Sequence, residues 1–365
     1  MEKSATFGSG TLAAAASVVV LSRGFHPIVL AALEVGETAG WLAMLLAGLM
    51  SASMYGAFSY WTRRLPSGSL DGLARAAAGR LGSMAMACLV AGLLIHHAGL
   101  VTRETSEMAV SAIYPHTPQT FPTTGLVLCT LFGAWSGLSS LARLCRGFLA
   151  LQLFAMAVLL AGPVAWGNIR YLLPFWGPGP AILIGRSFLL TSMFSPVVLF
   201  LLIAGGSVTE RSRRWWTGCA GIAAATLVLA VIKIVLAKAY PLPLGASVTF
   251  PLHALARLIT GGRFFERVEG LWVMLWVFGT ACHLSVLMHV AAANYARAFG
   301  MASHRGPLVT LVLVMTVVAF LPPDQMQTLS WHEGAWPFAL AIGYGLPLSL
   351  VLLAGLRGRL GSNAA

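Results

Sequence analysis

Apolar residues run along this chain in long blocks, each closed by a short cluster of glycine, proline or charged residues. Ten blocks can be drawn, at about 7–33, 40–61, 81–102, 122–141, 147–166, 181–206, 215–238, 266–294, 307–321 and 336–356. A helix that crosses a bilayer needs about 20 mainly apolar residues, and most of these blocks supply that length. The pattern predicts an all-α polytopic membrane protein of about ten transmembrane helices. They form a single transmembrane domain over 1–365, with corresponding halves at about 7–166 and 181–356. Two further stretches, 103–117 and 247–262, are too polar to cross and flank long helices on one side. In the second, Leu252, Leu255, Ala256 and Ile259 recur at helical spacing, which suits a helix across the outer face or a plain connecting loop.

Two blocks are interrupted in their interior. The first contains Ser22-Arg23-Gly24-Phe25-His26-Pro27, and the sixth contains Thr191-Ser192-Met193-Phe194-Ser195-Pro196. Proline removes an intrahelical donor and displaces the carbonyl one turn back. In hydrocarbon, freed backbone groups survive only where they are buried in protein or line a wet cavity. Blocks one and six are corresponding members of two five-helix halves and would run in opposite directions. Interruptions at matching positions of an inverted repeat point to a substrate site near the midplane. Half-helix N-termini there attract a carboxylate, and freed carbonyls attract an ammonium or a cation. The expected ligand class is a small zwitterion such as an amino acid. The candidate lining residues are Ser22, Arg23, Gly24, Phe25 and His26 from the first break, and Thr191, Ser192, Phe194 and Ser195 from the second. His97 of span three, with Trp276 and Thr280 of span eight, completes the set.

Composition agrees with this picture and excludes others. Hydrophobic residues make up 58% of the chain and charged residues 9%, against about 25% charged in soluble domains. The net charge of +12 would suit nucleic acid, but 20 of the 23 cations are arginines scattered singly or in pairs. Their placement records orientation instead. With the N-terminus inside, the inner segments hold 14 cations and three acids, and the outer segments hold six cations and eight acids. An excess of Lys and Arg in short loops marks the cytoplasmic side, so both termini are expected there. The apolar stretch after Met1-Glu2-Lys3 lacks a convincing cleavage site and reads as a first helix.

Ionisable residues at membrane depth are functional candidates by default. Arg23 could pair with a ligand carboxylate or an internal acid, or snorkel from a shallower position. His96 and His97 point in different directions on their helix, so at most one faces a cavity. Lys233 and Arg186 lie near span ends and are expected to snorkel. On these boundaries no span carries a mid-membrane Asp or Glu, and this weakens an ion-driven reading. The cysteines, four within apolar runs and Cys145 in a short basic loop, read as packing residues with no metal-ligand spacing. Gly133-x-x-x-Gly137 suits close helix packing. No cofactor fingerprint, nucleophile elbow or metal motif is present, and nothing argues for an enzyme.

Several motifs then carry a resemblance. Tyr114-Pro-His-Thr117-Pro118 precedes span four, and Gly137 and Leu141-Ala-Arg143 follow it. Asn168 and Leu173-Pro174 follow span five, and Phe250-Pro251 leads to Phe264-Phe-Glu266-Arg267-Val-Glu269 and Trp276. In order and spacing the chain resembles the spore-germination permease family. This is the B-type membrane subunit of nutrient germinant receptors, within the amino acid–polyamine–organocation superfamily. The resemblance implies a transporter-like fold in the inner spore membrane that senses a small nutrient. It also implies assembly with an A-type subunit and a C-type lipoprotein. A secondary amino-acid or amine transporter is the alternative. The first break is bulkier and more charged than the glycine-rich segments usual in amino-acid carriers. Gly40 also stands before Trp41 where an acidic or polar residue is expected. Glu266 and Glu269 suit a helix N-terminus, with Arg267 free to clamp another segment.

Overall fold

The computed structural model describes residues 6–25, 35–65, 67–210, 213–241, 250–257 and 268–358. The chain is all-helical apart from one isolated bridge, in which Phe7 pairs with Val208. α1 (Ser9–Leu21) is followed by a 3-10 turn at Ser22–Phe25 and then by α2 (Gly40–Thr62). α3 (Leu70–Met108) follows, then α4 (Thr120–Trp135) and α5 (Leu138–Trp166). α6 (Pro180–Leu190), a 3-10 turn at Thr191–Phe194 and α7 (Ser195–Ala204) form the second interrupted segment. α8 (Arg214–Ala239), the short α9 (Pro251–Arg257), α10 (Val268–Phe299) and α11 (Arg305–Phe320) come next. α12 (Gln325–Gly334), α13 (Trp336–Leu340) and α14 (Leu346–Leu356) complete the described chain.

Among the described residues, seven helical stretches are long and apolar enough to cross a membrane. α4 and α11 are shorter apolar helices. The interrupted segment from Pro180 to Ser207 is the most enclosed, with 83% of its apolar window buried, against 33% for the stretch from Leu138 to Ala161. α6 and α7 therefore lie at the centre of the bundle, and α5 lies at its rim. Phe121, Phe132, Leu151, Phe154, Leu313 and Val317 stand exposed on α4, α5 and α11. So large an apolar surface is foreign to a soluble monomer and suits lipid.

Local chemistry explains where the elements start and stop. Pro180 opens α6 and Pro196 opens α7, where the missing N–H would have lacked a helical partner in any case. Asp324 caps α12 by accepting from the Gln327 amide at 2.8 Å. α3 bends at Gly79, whose φ of 70° lies outside the helical region. Gly137 turns α4 into α5 at φ 90°. It therefore stands outside the helix, so the expected Gly133–Gly137 packing pair reduces to Gly133, which faces Ser285 of α10. α1 crosses α8 closely. There the Ser17 hydroxyl donates to the Gly221 carbonyl at 3.0 Å, and Gly221 sits against the backbone of Ala13.

Two boundary expectations change. The stretch 103–117 is not an outer loop from its start, because α3 continues helically to Met108 and a further π-helical turn reaches Ile113. The basic loop around Cys145 is part of α5, and Cys145 is fully buried. Span ten keeps its expected bounds, Trp336–Leu356, and contains a π-helical turn at Ala341–Gly345. In the stretch 247–262, Pro251–Arg257 is helical with Leu252, Leu255 and Ala256 buried, and Ile259 lies outside the described residues.

The charges sort to opposite ends of the bundle. At one end Arg146 approaches Thr11 at 3.4 Å, Ser9 donates to Glu210 at 2.5 Å, and Arg75 reaches the Arg297 carbonyl. At the other, Arg103 pairs with Glu107 at 3.0 Å and donates to the Pro323 carbonyl at 2.8 Å.

Candidate functional site

The two interruptions meet. Arg23 of the first shares one small cavity of about 10 Å³ with Met193, Phe194 and Pro196 of the second. It shares another, of about 30 Å³, with Ser192, Ser195, His97 and His332. One water needs roughly 10–15 Å³ of such space, so the two cavities hold a few waters at most. The protein is closed around this point.

Side chains satisfy the backbone that the breaks would otherwise strand. The Ser22 hydroxyl donates to the Val18 carbonyl at 2.7 Å, and His283 Nδ1 donates to the Val19 carbonyl at 2.8 Å. Across the site, the Tyr344 hydroxyl donates to the Thr191 carbonyl at 2.9 Å, and Ser51 Oγ lies 2.9 Å from the same hydroxyl. The carbonyls expected to attract a ligand ammonium are thus held internally in this closed state.

Arg23 answers the question left open by the sequence. It is 5% exposed and forms an ion pair with Glu104 at 3.5 Å, so its partner here is an internal acid. Glu104 is 1% exposed, and its other oxygen lies 3.0 Å from His332 Nε2. A carboxylate buried inside the bundle therefore exists where the span boundaries predict an outer segment. The charged run at 103 reads along the chain as the end of a span, but the helix continues through it to Met108. His97 and Glu104 are seven residues apart on one helix face, and that spacing is the signal that reveals it.

The His97 and His283 Nε2 atoms are 3.2 Å apart. A carbonyl only accepts, so His283 Nδ1 carries a proton, and Nε2 of a neutral His283 accepts from His97. The His97 and His332 rings approach edge to face at 5.9 Å. Arg23, Glu104, His332, His97 and His283 thus form one buried polar group drawn from α3, α10, α12 and the first break. Within it the guanidinium of Arg23 faces the carboxyl of Glu104, with three imidazoles around them.

The remaining expected positions divide. Gly24 lies where a Cβ would overlap Leu229 of α8, and Phe194 is buried at the junction. Ser192 and Ser195 are buried, and neither hydroxyl has a hydrogen-bond partner among the described residues. The same holds for Thr280 and for the amide of Gln152, which sequence reasoning passed over. An ideal Cβ on Gly279, next to Thr280, would stand 3.0 Å from Ser22 Oγ and 3.4 Å from Gln152 Nε2. Trp276 is buried and stacks on Trp272 with centroids 6.2 Å apart. Phe25 ends the 3-10 turn, and His26 lies outside the described residues.

Other positions stand apart from the junction. Thr117 and Pro118 lie in the turn before α4, where the Thr117 amide donates to the Tyr114 carbonyl at 2.9 Å and the Pro118 carbonyl accepts from the Phe121 amide at 3.0 Å. Glu266 and Arg267 are outside the described residues. Glu269 stands in the first turn of α10 and pairs with Arg257 at 3.8 Å. Lys233 does not snorkel: it is 1% exposed, one turn beyond Leu229 on α8. Arg186 is exposed and reaches the Val35 carbonyl at 3.4 Å. On the outer helix α9, burial holds His253 below the usual histidine range, with Glu269 pulling it up and Arg257 pushing it down.

The family model described as spore germination protein matches residues 13–328. Among curated proteins none matches this chain in sequence. Among solved structures it is similar to MhsT in complex with L-phenylalanine, at 15% identity and a TM-score of 0.64, covering 96% of this chain and 98% of that one. It is also similar to a nucleobase-cation-symport-1 family transporter in a closed conformation with bromovinylhydantoin bound. There the identity is 11% and the TM-score 0.67, over 93% of this chain and 78% of the other. At such identities the likeness is one of fold.

Proposed function

The chain belongs to the spore germination protein family, and on that premise we propose that it is the membrane subunit of a spore nutrient germinant receptor. In this reading a small nutrient, an amino acid by preference, binds between the two interrupted helices and shifts the closed bundle towards a second state. An A-type subunit and a C-type lipoprotein read that shift at the inner spore membrane, with both termini of this chain cytoplasmic. One observation carries the reading. The two breaks meet at a buried junction where Arg23 stands on one side and the hydroxyls of Ser192 and Ser195 are left to bond on the other.

Arg23 is already engaged by Glu104, so the ligand carboxylate falls to the N-terminus of α7 and the serine hydroxyls. The ammonium group competes for the carbonyls that Ser22, His283 and Tyr344 now hold. Binding therefore requires these side chains to swing away, which ties occupancy to a conformational change.

The second reading, a secondary transporter of amino acids or amines, is favoured by the fold shared with a nucleobase-cation-symport-1 family transporter and with MhsT in complex with L-phenylalanine. Thermal unfolding of the purified chain in the presence of amino acids, sugars and nucleosides tests the site. A ligand that binds only the folded state raises the melting temperature. An amino acid is expected to do so, and Ser192→Leu, which fills the junction, is expected to abolish the rise while the protein is still made. If no class of nutrient shifts the transition, or Ser192→Leu leaves the shift intact, the site is wrongly placed. Uptake of the labelled ligand by vesicles carrying this chain alone decides for transport over sensing.

A further inference from the structure

A larger space than the two cavities at the breaks lies away from them. A pocket of about 450 Å³ opens at the basic end of the bundle, within the range of small-molecule sites. Three arginines from three helices converge on it: Arg143 from the start of α5, Arg297 from the end of α10 and Arg305 from the start of α11. His289 and His304 form part of its wall, their rings meeting at 4.6 Å. Among the described residues no carboxylate lines it.

We propose that this pocket binds a phosphate group. The positive-inside rule accounts for cations at this end, but it asks only for their number and leaves their direction open. Arg63 and Arg64, at the same end, lie over the ring of Tyr60, and Arg64 also lies over Trp61. The pocket arginines instead line one concavity from separate helices, and two of them are held by neighbours. Arg143 donates to Ser139 at 2.7 Å, and Arg305 stacks over Trp135 at 5.2 Å. Guanidinium groups recognise phosphate through paired N–H donors, and convergent ones do so without the entropy cost of gathering flexible side chains. His289 shapes the wall instead: its Nδ1 donates to the Ala134 carbonyl at 2.8 Å, so Nε2 of the neutral ring only accepts and offers the phosphate no donor.

The position of the pocket gives occupancy a consequence. Ile203 and Ala204 at the end of α7, with Ser207 just beyond it, form part of its wall. A phosphate there ties α5, α10 and α11 to the inner end of the second interrupted helix, so it favours the closed bundle. The phosphate can belong to a free phosphate ester or to the headgroup of an anionic phospholipid.

The test uses the full chain in nanodiscs of purely zwitterionic lipid, with thermal unfolding followed against inorganic phosphate at constant ionic strength. A saturable rise in melting temperature is expected. The double variant Arg143→Gln/Arg305→Gln should weaken the apparent affinity by about tenfold or more. The surface pair Arg63→Gln/Arg64→Gln, which removes the same charge, should leave it unchanged. If the double variant does not fold, Arg305→Lys keeps the charge but removes the planar fork and should itself weaken binding. A stabilisation by phosphatidylglycerol in the nanodisc that abolishes the phosphate response identifies a lipid headgroup as the source. Absence of a saturable response to both probes, or an equal loss in the surface pair, overturns the proposal.

Discussion

Arg23→Met will destabilise the closed protein by about 3–5 kcal/mol, the usual cost of leaving a buried charge without its partner. Glu104 is 1% exposed, and in that variant only His332 would remain beside it among the contacts described above. The double variant Arg23→Met/Glu104→Gln removes both charges and keeps a polar contact for His332, so it should recover at least half of the loss. Chemical unfolding in a fixed detergent measures both, and the double-mutant cycle isolates the pair. Additive losses would show that the ion pair is not what holds the first break to α3. The same variants bear on the proposed response to nutrient. If Arg23 serves to fix the break rather than to touch the ligand, Arg23→Met/Glu104→Gln keeps a ligand-induced shift that Ser192→Leu loses.

Gly221→Leu will give little or no folded protein, a loss of about 3 kcal/mol or more, at the upper end of overpacking costs. An ideal Cβ at this position stands 2.6 Å from the Ala13 carbonyl oxygen and 3.1 Å from its Cα. Backbone cannot rotate away as a side-chain tip can, so α1 and α8 must separate, and the bond from Ser17 to the Gly221 carbonyl is lost with them. Membrane helices gain little from hydrophobic association in lipid, which makes such close approach over small residues their main source of packing energy. Gly125→Leu is the control, because a Cβ there meets nothing within 4 Å. Size-exclusion profiles and melting temperatures of the two variants should differ sharply. Equal behaviour would mean that the α1–α8 crossing is not tight.

Much of this arrangement was visible along the chain because membrane helices announce themselves through composition. Each of the ten apolar blocks overlaps an apolar helical element, and Pro27 and Pro196 drew attention to the blocks whose 3-10 turns meet in space. The differences have one physical cause. Along the chain a charge reads as the end of a span, whereas Glu104 and Cys145 stand inside helices. A charged residue buried beside an opposite charge gives no local sign of its partner, since Arg23 and Glu104 are far apart in sequence. Lys233 differs in the same way: a position near a helix end suggests solvent, but the side chain is buried.

By itself the sequence determined the fold class and the two places where helices must break. These follow from local rules, because every backbone donor in lipid must be satisfied within its own segment and every break must be sheltered. Only the tertiary structure decided how the ionisable residues pair, which carbonyls at the breaks are held by Ser22, His283 and Tyr344, and that arginines from three helices share one pocket. Pairing depends on distances between segments distant along the chain. Those distances are set by packing, as where Gly221 allows α8 to meet the backbone of α1.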